Sequence, residues 1–224
     1  METPAYIFDL DGTLVDTAPD LLATLNTILK PEGCDPIEPH ILRRLVGRGA
    51  RVLITEALKL NGKSVSPERL EVLFQAFLED YGSHVAAASR PFPGVEETLA
   101  GLQTQGVRLG VLTNKPETPT LKLIRELKLD RFFKAIYGQG TKSWLKPDPR
   151  LFAAIVGDMG GAGAGVVMVG DSITDVQAAR AAEVPVILVS FGYTPEPAHT
   201  LGADVVVDDF CEIPAAAEAL LNRP

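Results

Sequence analysis

The apolar positions of this chain follow two different rhythms. Between residues 16 and 89 they recur at three- and four-residue spacing. Leu21, Leu22, Leu25, Ile28 and Leu29 form one such stripe, closed by Pro31 and Gly33. Residues 41–46 and 52–60 give two more helical stretches, separated by Gly47-Arg48-Gly49. Residues 67–81 add a further helix with Leu70, Leu73, Phe74 and Phe77 on one face. Nothing in 16–89 has the period or the short unbroken apolar run of a strand.

Outside that stretch, short apolar runs alternate with helical patterns. Tyr6-Ile7-Phe8 and residues 107–112, 166–169, 186–189 and 204–207 predict strands, with a weaker one over 134–137. Helices are expected over 95–102, 118–127, 149–159, 173–182 and 213–221. Strands that are apolar at nearly every position are buried on both faces, which with intervening helices means a parallel sheet covered on each side. The first strand belongs to this α/β series, and the helical stretch interrupts it as an insertion. Arg90-Pro91-Phe92-Pro93-Gly94 is a rigid connection by which the chain returns.

Composition narrows the function classes. The chain has 224 residues, 46% of them hydrophobic and 22% charged, with a net charge of −8. That is globular composition without the clustered Lys and Arg that a nucleic acid or an anionic membrane requires. Cys34 and Cys211 lack metal-ligand spacing and are too few for a disulfide scaffold. Met-Glu-Thr-Pro does not open a signal peptide, and no apolar run nears the ~20 residues of a membrane span. A soluble, cytoplasmic chain is expected.

The candidate chemistry gathers at predicted strand ends. Asp9 and Asp11 follow the first strand at i and i+2, so both side chains lean to one face. Two such charges ~4 Å apart repel by about 4 kcal/mol at an effective dielectric near 20, which calls for a cation, a shared proton or solvent. Thr113-Asn114-Lys115 follows the second predicted strand just before a helix, whose free N–H groups suit an anion. Lys146 is followed by two prolines that fix the local backbone in Leu145-Lys146-Pro147-Asp148-Pro149, and Gly170-Asp171-Ser172-Ile173-Thr174-Asp175 ends a later strand. The carboxyl ends of parallel strands gather at one edge, so the four segments should converge. Taken singly, Thr113 also reads as a helix cap, Lys146 as a solvated loop lysine, and Asp171 or Asp175 as a cap.

Other apparent motifs fail in context. The glycine-rich stretch 160–165 precedes a strand instead of linking strand to helix, and Gly62-Lys63-Ser64 lacks the earlier P-loop glycine. His40, His84 and His199 are far apart, and Ser172 has no nucleophile-elbow context.

The ordered set Asp9-Leu10-Asp11-Gly12-Thr13, Leu112-Thr113-Asn114-Lys115, Leu145-Lys146-Pro147-Asp148-Pro149 and Gly170-Asp171-Ser172-Ile173-Thr174-Asp175 resembles the haloacid dehalogenase-like superfamily of aspartate-nucleophile phosphatases. The resemblance covers essentially the whole chain. It implies a Rossmann-like core, residues 1–15 and 90–224, and an inserted all-helical cap, residues 16–89, that closes over the site. It also implies Asp9 as nucleophile and Asp11 as general acid and base. Gly12, Thr113 and Asn114 would contact the phosphoryl group, with the Gly12 N–H available to it, and Lys146 would neutralise charge. Mg²⁺ would be held by Asp9, the Asp11 main-chain carbonyl and Asp171, with Asp175 behind them.

The cap loop Leu45-Val46-Gly47-Arg48-Gly49-Ala50, the segment Ser190-Phe191-Gly192-Tyr193 and the later Gly202-Ala203-Asp204 and Asp208-Asp209-Phe210 are similar to the phosphoglycolate phosphatases of that superfamily. Arg48 departs from the smaller polar residue expected between those glycines. The substrate so implied carries a carboxylate, which Arg48 or Arg51 would reach by a charge-assisted bond. A monomer or homodimer acting on a small phosphorylated metabolite is expected. The alternatives are a β-phosphoglucomutase-like sugar phosphomutase, or a phosphatase for sugar phosphates, nucleotides or pyrophosphate.

Overall fold

A computed structural model describes residues 3–222, so Met1, Glu2, Arg223 and Pro224, at the ends of the expected core, lie outside the described residues. Six strands form one parallel sheet: β1 Ala5–Phe8, β4 Arg108–Pro116, β5 Ala135–Gln139, β6 Val166–Gly170, β7 Val186–Val189 and β8 Val205–Val207. Two further strands, β2 Val15–Asp16 and β3 Arg90–Pro91, pair separately. The large sheet runs in the order β5-β4-β1-β6-β7-β8, all neighbours parallel. The chain thus winds outward from β1 one way and then the other, the arrangement of dinucleotide-binding folds, and a crevice opens where the order reverses.

Side chains of β1 alternate between the two layers. Tyr6 and Phe8 face a cluster containing Leu99, Phe210 and Ala217, while Ala5 and Ile7 face one containing Phe152, Ile155 and Ala179. Leu99 comes from α5 Val95–Thr104, Phe152 and Ile155 from α7 Arg150–Asp158, Ala179 from α8 Ile173–Ala181 and Ala217 from α9 Ile213–Leu221, with Phe210 in the turn just before α9. Helix α6 Glu117–Glu126 adds Leu123 and Ile124 to the first cluster. Phe8 stacks on Phe210 at 5.9 Å between ring centres. Burial on both sides explains why these strands carry almost no polar residue until their carboxyl ends.

The insertion is helical, as its periodicity requires: α1 Ala18–Leu29, α2 Pro39–Arg43, α3 Ala50–Leu60 and α4 Pro67–Ser83. Leu25, Leu42, Ile54, Leu58, Phe77 and Tyr81 are buried among themselves and continue into the cluster under the sheet. Ser66 caps α4 by accepting a hydrogen bond from the Arg69 N–H. Gly62-Lys63-Ser64 is the C-terminal turn of α3, with Gly62 at φ +67° and the Lys63 N–H returning to Leu58 O at 2.9 Å.

Two features differ from the expectation. The connections to and from the insertion form the antiparallel pair β2/β3, Val15 against Pro91 and Asp16 against Arg90. Two-residue pairings are too short to leave a periodic signal. Buried Asp20 reinforces the join, accepting from the N–H groups of Ala88 and Ser89 and from the Ser89 hydroxyl at 2.6 Å. Secondly, β4 does not stop at Leu112. It runs on through Thr113, Asn114 and Lys115 to Pro116, with a register shift against β5 after Leu112. Among the described residues, no helix is long and apolar enough to cross a membrane.

Candidate active site

β1, β4 and β6 lie side by side, and the polar residues at their carboxyl ends meet at the crevice. Asp9, Asp11, Thr113, Asn114, Lys115, Lys146, Asp171 and Asp175 are all buried. Buried polar groups at this density need partners, and most of these find them in one another.

Lys146 is the hub. Its ammonium lies 2.9 Å from Asp9 Oδ1 and donates to Asp175 Oδ1 at 2.6 Å. The first approach is too poorly aligned for a hydrogen bond, so Asp9 Oδ1 has charge beside it but no donor aimed at it. Asp175 is fully committed: its Oδ2 accepts from the N–H of Asp171, the N–H of Ser172 and the Ser172 hydroxyl at 2.7 Å. It therefore caps the first turn of α8 and fixes Lys146 at the same time, so both readings of Asp175 describe one carboxylate. Asp171 Oδ2 accepts from the Tyr193 N–H at 2.6 Å.

Asp11 faces the other way. Its Oδ1 accepts from the Thr17 hydroxyl at 2.7 Å and from the Lys115 ammonium at 3.0 Å. Thr17 is absent from the sequence-based site, and Lys115 stands in its motif without a role. The signal for Lys115 was its i, i+2 relation to Thr113, which places both side chains on one face once the strand is known to continue. Thr113 lines the same cavity as Asp9 and Asp11, and its hydroxyl accepts from the Lys115 N–H at 3.2 Å.

Three residues are placed otherwise than expected. The Asn114 side chain, at the cavity that Asp9 and Asp11 line, is taken up by the Lys146 backbone. Its Oδ1 accepts from the Lys146 N–H at 2.9 Å and its Nδ2 donates to the Lys146 carbonyl at 3.3 Å, so it struts the Lys146 segment against β4. The Gly12 N–H is already given to Val15 O at 3.0 Å. Gly12, at φ +86°, is small for a different reason, since a Cβ there would collide with the Asp171 carboxylate and the Tyr193 ring. Arg51 is turned away from the acids: it pairs with Glu71 through Nε at 3.2 Å and Nη2 at 2.8 Å and lies over the Phe74 ring. Arg48 is exposed, on the rim of a neighbouring cavity that Asp11 and Asp171 also line.

Tyr193 joins the site to the foot of the insertion. Besides holding Asp171, it donates its hydroxyl to Asp16 Oδ1 at 2.5 Å and accepts from the Ala18 N–H at 3.0 Å. Arg43 then binds Asp16 Oδ2 at 2.9 Å and lies over the Tyr193 ring.

The electrostatics describe a site short of positive charge. Burial pushes the Asp9 carboxyl from 3.8 up to about 6; Lys146 pulls it down, while Asp175 and Asp11 push it up. Burial, with Asp175 and Asp9 beside it, also holds Asp171 well above the usual carboxylate range. Oxygens of Asp9, Asp171 and Asp175 lie within 4.8 Å of one another. Three carboxylates with no softer donor, one of them holding an oxygen at which no hydrogen bond is aimed, fit a hard divalent cation. With both Asp175 oxygens already engaged, Asp9 and Asp171 are the carboxylates left to bind it.

A family model described as haloacid dehalogenase-like hydrolase matches residues 6–189. The chain belongs to the haloacid dehalogenase-like hydrolases. Curated relatives span it almost end to end. It is 45% identical to the phosphoglycolate phosphatase of Caulobacter vibrioides over 96% of this chain and 91% of that one. It is 42% identical to the phosphoglycolate phosphatase of Agrobacterium fabrum over 99% and 95%. A solved structure from Haemophilus somnus, described as a predicted phosphoglycolate phosphatase, superposes with a TM-score of 0.89 at 30% identity, covering 97% and 99%. This haloacid dehalogenase-like hydrolase is an enzyme, a phosphatase, and its acid cluster lies on the strand ends where such an α/β fold binds its ligand.

Proposed function

We propose that the protein is a Mg²⁺-dependent phosphomonoester hydrolase that cleaves 2-phosphoglycolate in the cytoplasm, as a monomer or homodimer, through a phosphorylated Asp9. The observation that carries this reading is the pair of unlike carboxylates two residues apart. Asp9 sits against Lys146 with an oxygen at which no hydrogen bond is aimed, whereas Asp11 is held off by Thr17 and Lys115. The same residue type is thus divided between a nucleophile and a proton carrier.

In the first half-reaction an Asp9 oxygen attacks phosphorus, and the bond from phosphorus to the glycolate oxygen breaks. Asp11 gives that oxygen its proton. In the second, Asp11 takes a proton from water as the water oxygen bonds to phosphorus. The bond to Asp9 breaks, and phosphate leaves. Lys146 stays beside Asp9 throughout, tethered by Asp175 behind it and by Asn114 at its backbone. Thr113 offers its hydroxyl to a phosphoryl oxygen, and the buried setting strengthens each of these contacts. Mg²⁺ held by Asp9, Asp171 and the Asp11 main-chain carbonyl would supply the charge that lets one anion approach another. The substrate is supported by the names of relatives that match nearly the whole chain.

The test is phosphate release with Mg²⁺ present, comparing kcat/KM for 2-phosphoglycolate with sugar phosphates, nucleotides and pyrophosphate. A preference of about 100-fold or more is expected. A flat profile would refute the substrate and leave the phosphatase chemistry standing.

A further inference from the structure

The carboxylate of the proposed substrate needs a cation on the leaving-group side of Asp11, and the cap arginines do not supply one inside the cavity. Arg51 is engaged by Glu71 and Phe74, and Arg48 is exposed on the rim of the adjoining cavity. The space between insertion and sheet edge is lined by Asp9 and Asp11, by apolar Leu53 and Phe77, and by Tyr81 and Lys115. Among the described residues lining that space, Lys115 is the single cation.

Lys115 is better placed than a partner for Asp11 alone requires. Its ammonium is buried, 3.0 Å from Asp11 Oδ1 and 4.4 Å from the centre of the Tyr81 ring. An ammonium has three N–H donors, and Asp11 takes one. The Tyr81 hydroxyl, also buried, finds no hydrogen-bond partner among the described residues. The ammonium beside it has only protons to offer, so the phenol's own proton has no acceptor. Burial pushes that phenol up to about 12, which keeps the proton in place. A buried donor without an acceptor is costly and calls for a reason. Two donors side by side, one charged and one neutral, in an apolar-walled cavity next to the proton carrier, match the two oxygens of a carboxylate.

We propose that Lys115 and Tyr81 together bind the carboxylate of the leaving group and so select a 2-phospho-carboxylate over neutral phosphate esters. This rests on the substrate reading above. Lys115 comes from β4 of the core and Tyr81 from α4 of the insertion, so a bound carboxylate bridges the two parts of the fold.

The experiment compares two substrates: 2-phosphoglycolate and 2-hydroxyethyl phosphate, which replaces the carboxylate by a neutral hydroxymethyl group. The readout is the ratio of their kcat/KM values. In Lys115→Met both rates fall, because Asp11 loses a partner, but the ratio falls about 100-fold. In Tyr81→Phe, which removes one oxygen atom and keeps the ring, the ratio falls about 10-fold, chiefly through a higher KM for phosphoglycolate. A wild-type preference that survives both substitutions within twofold overturns the receptor and leaves the substrate reading intact. Should Lys115→Met not fold, Tyr81→Phe decides alone. A wild-type enzyme indifferent to the two esters overturns the substrate reading, and the receptor with it.

Discussion

Replacing Asp9 by Asn should abolish turnover and, without divalent cation, stabilise the protein. Asn copies the shape of the protonated acid, so the comparison isolates the charge. In the unfolded chain the carboxyl titrates near 3.8, and in the folded chain at about 6, because burial and two acidic neighbours outweigh Lys146. Between those values the folded state binds the extra proton, so raising the pH costs stability there. The cost is absent below pH 4 and complete above pH 6. At about 1.4 kcal/mol per unit, the interval corresponds to about 3 kcal/mol at neutral pH. Lys146 is not orphaned in the variant, since Asp175 still holds it at 2.6 Å.

Thermal unfolding at pH 7.5 in EDTA should therefore place Asp9→Asn above wild type by about 6–12 °C, with the two converging near pH 4. Adding Mg²⁺ should raise wild type selectively and close the gap, because a cation that binds the folded state stabilises it by mass action. Phosphate release should fall by about 10⁴-fold or more in the variant. If Asp9→Asn instead unfolds at lower temperature in EDTA, the Asp9–Lys146 pair is net stabilising and the charge-starved description of the site is wrong. Retained activity would remove Asp9 as nucleophile.

Two further substitutions examine the residues placed otherwise than expected. Asn114→Ala strips partners from the buried Lys146 N–H and carbonyl; it should cost about 2–4 kcal/mol in urea unfolding and lower kcat about 10-fold or more with little change in KM. Arg51→Ala, by contrast, breaks a half-exposed pair with Glu71, so kcat/KM for 2-phosphoglycolate should stay within about twofold and stability within about 1 kcal/mol. A large loss of phosphoglycolate turnover in that variant would return Arg51 to the substrate.

Much of the architecture was legible because its signals are local. Strands buried on both faces read as unbroken apolar runs, amphipathic helices as three- and four-residue recurrences, and both persist in the structure with end shifts of a few residues. The convergence of Asp9, Asp11, Thr113, Lys146 and Asp171 was also legible, because parallel strands deliver their carboxyl ends to one edge whatever the loops do. The reach of β4 was not. Its polar end breaks the apolar run at Leu112 although the backbone stays extended to Pro116, and that hid the role of Lys115.

By itself, then, the sequence determined the order of elements, the helical nature of the insertion and the edge at which the acids meet. Only the tertiary structure decided what each polar side chain does once there. Asp11 finds Lys115 104 residues away, Tyr193 finds Asp16 177 residues away, Asn114 is taken up by the Lys146 backbone, and Arg51 is claimed by Glu71. Backbone periodicity is set by neighbours in the chain. A buried charge is settled by whichever partner the fold brings within 3 Å, and the spacing of residues along a chain carries no measure of that distance.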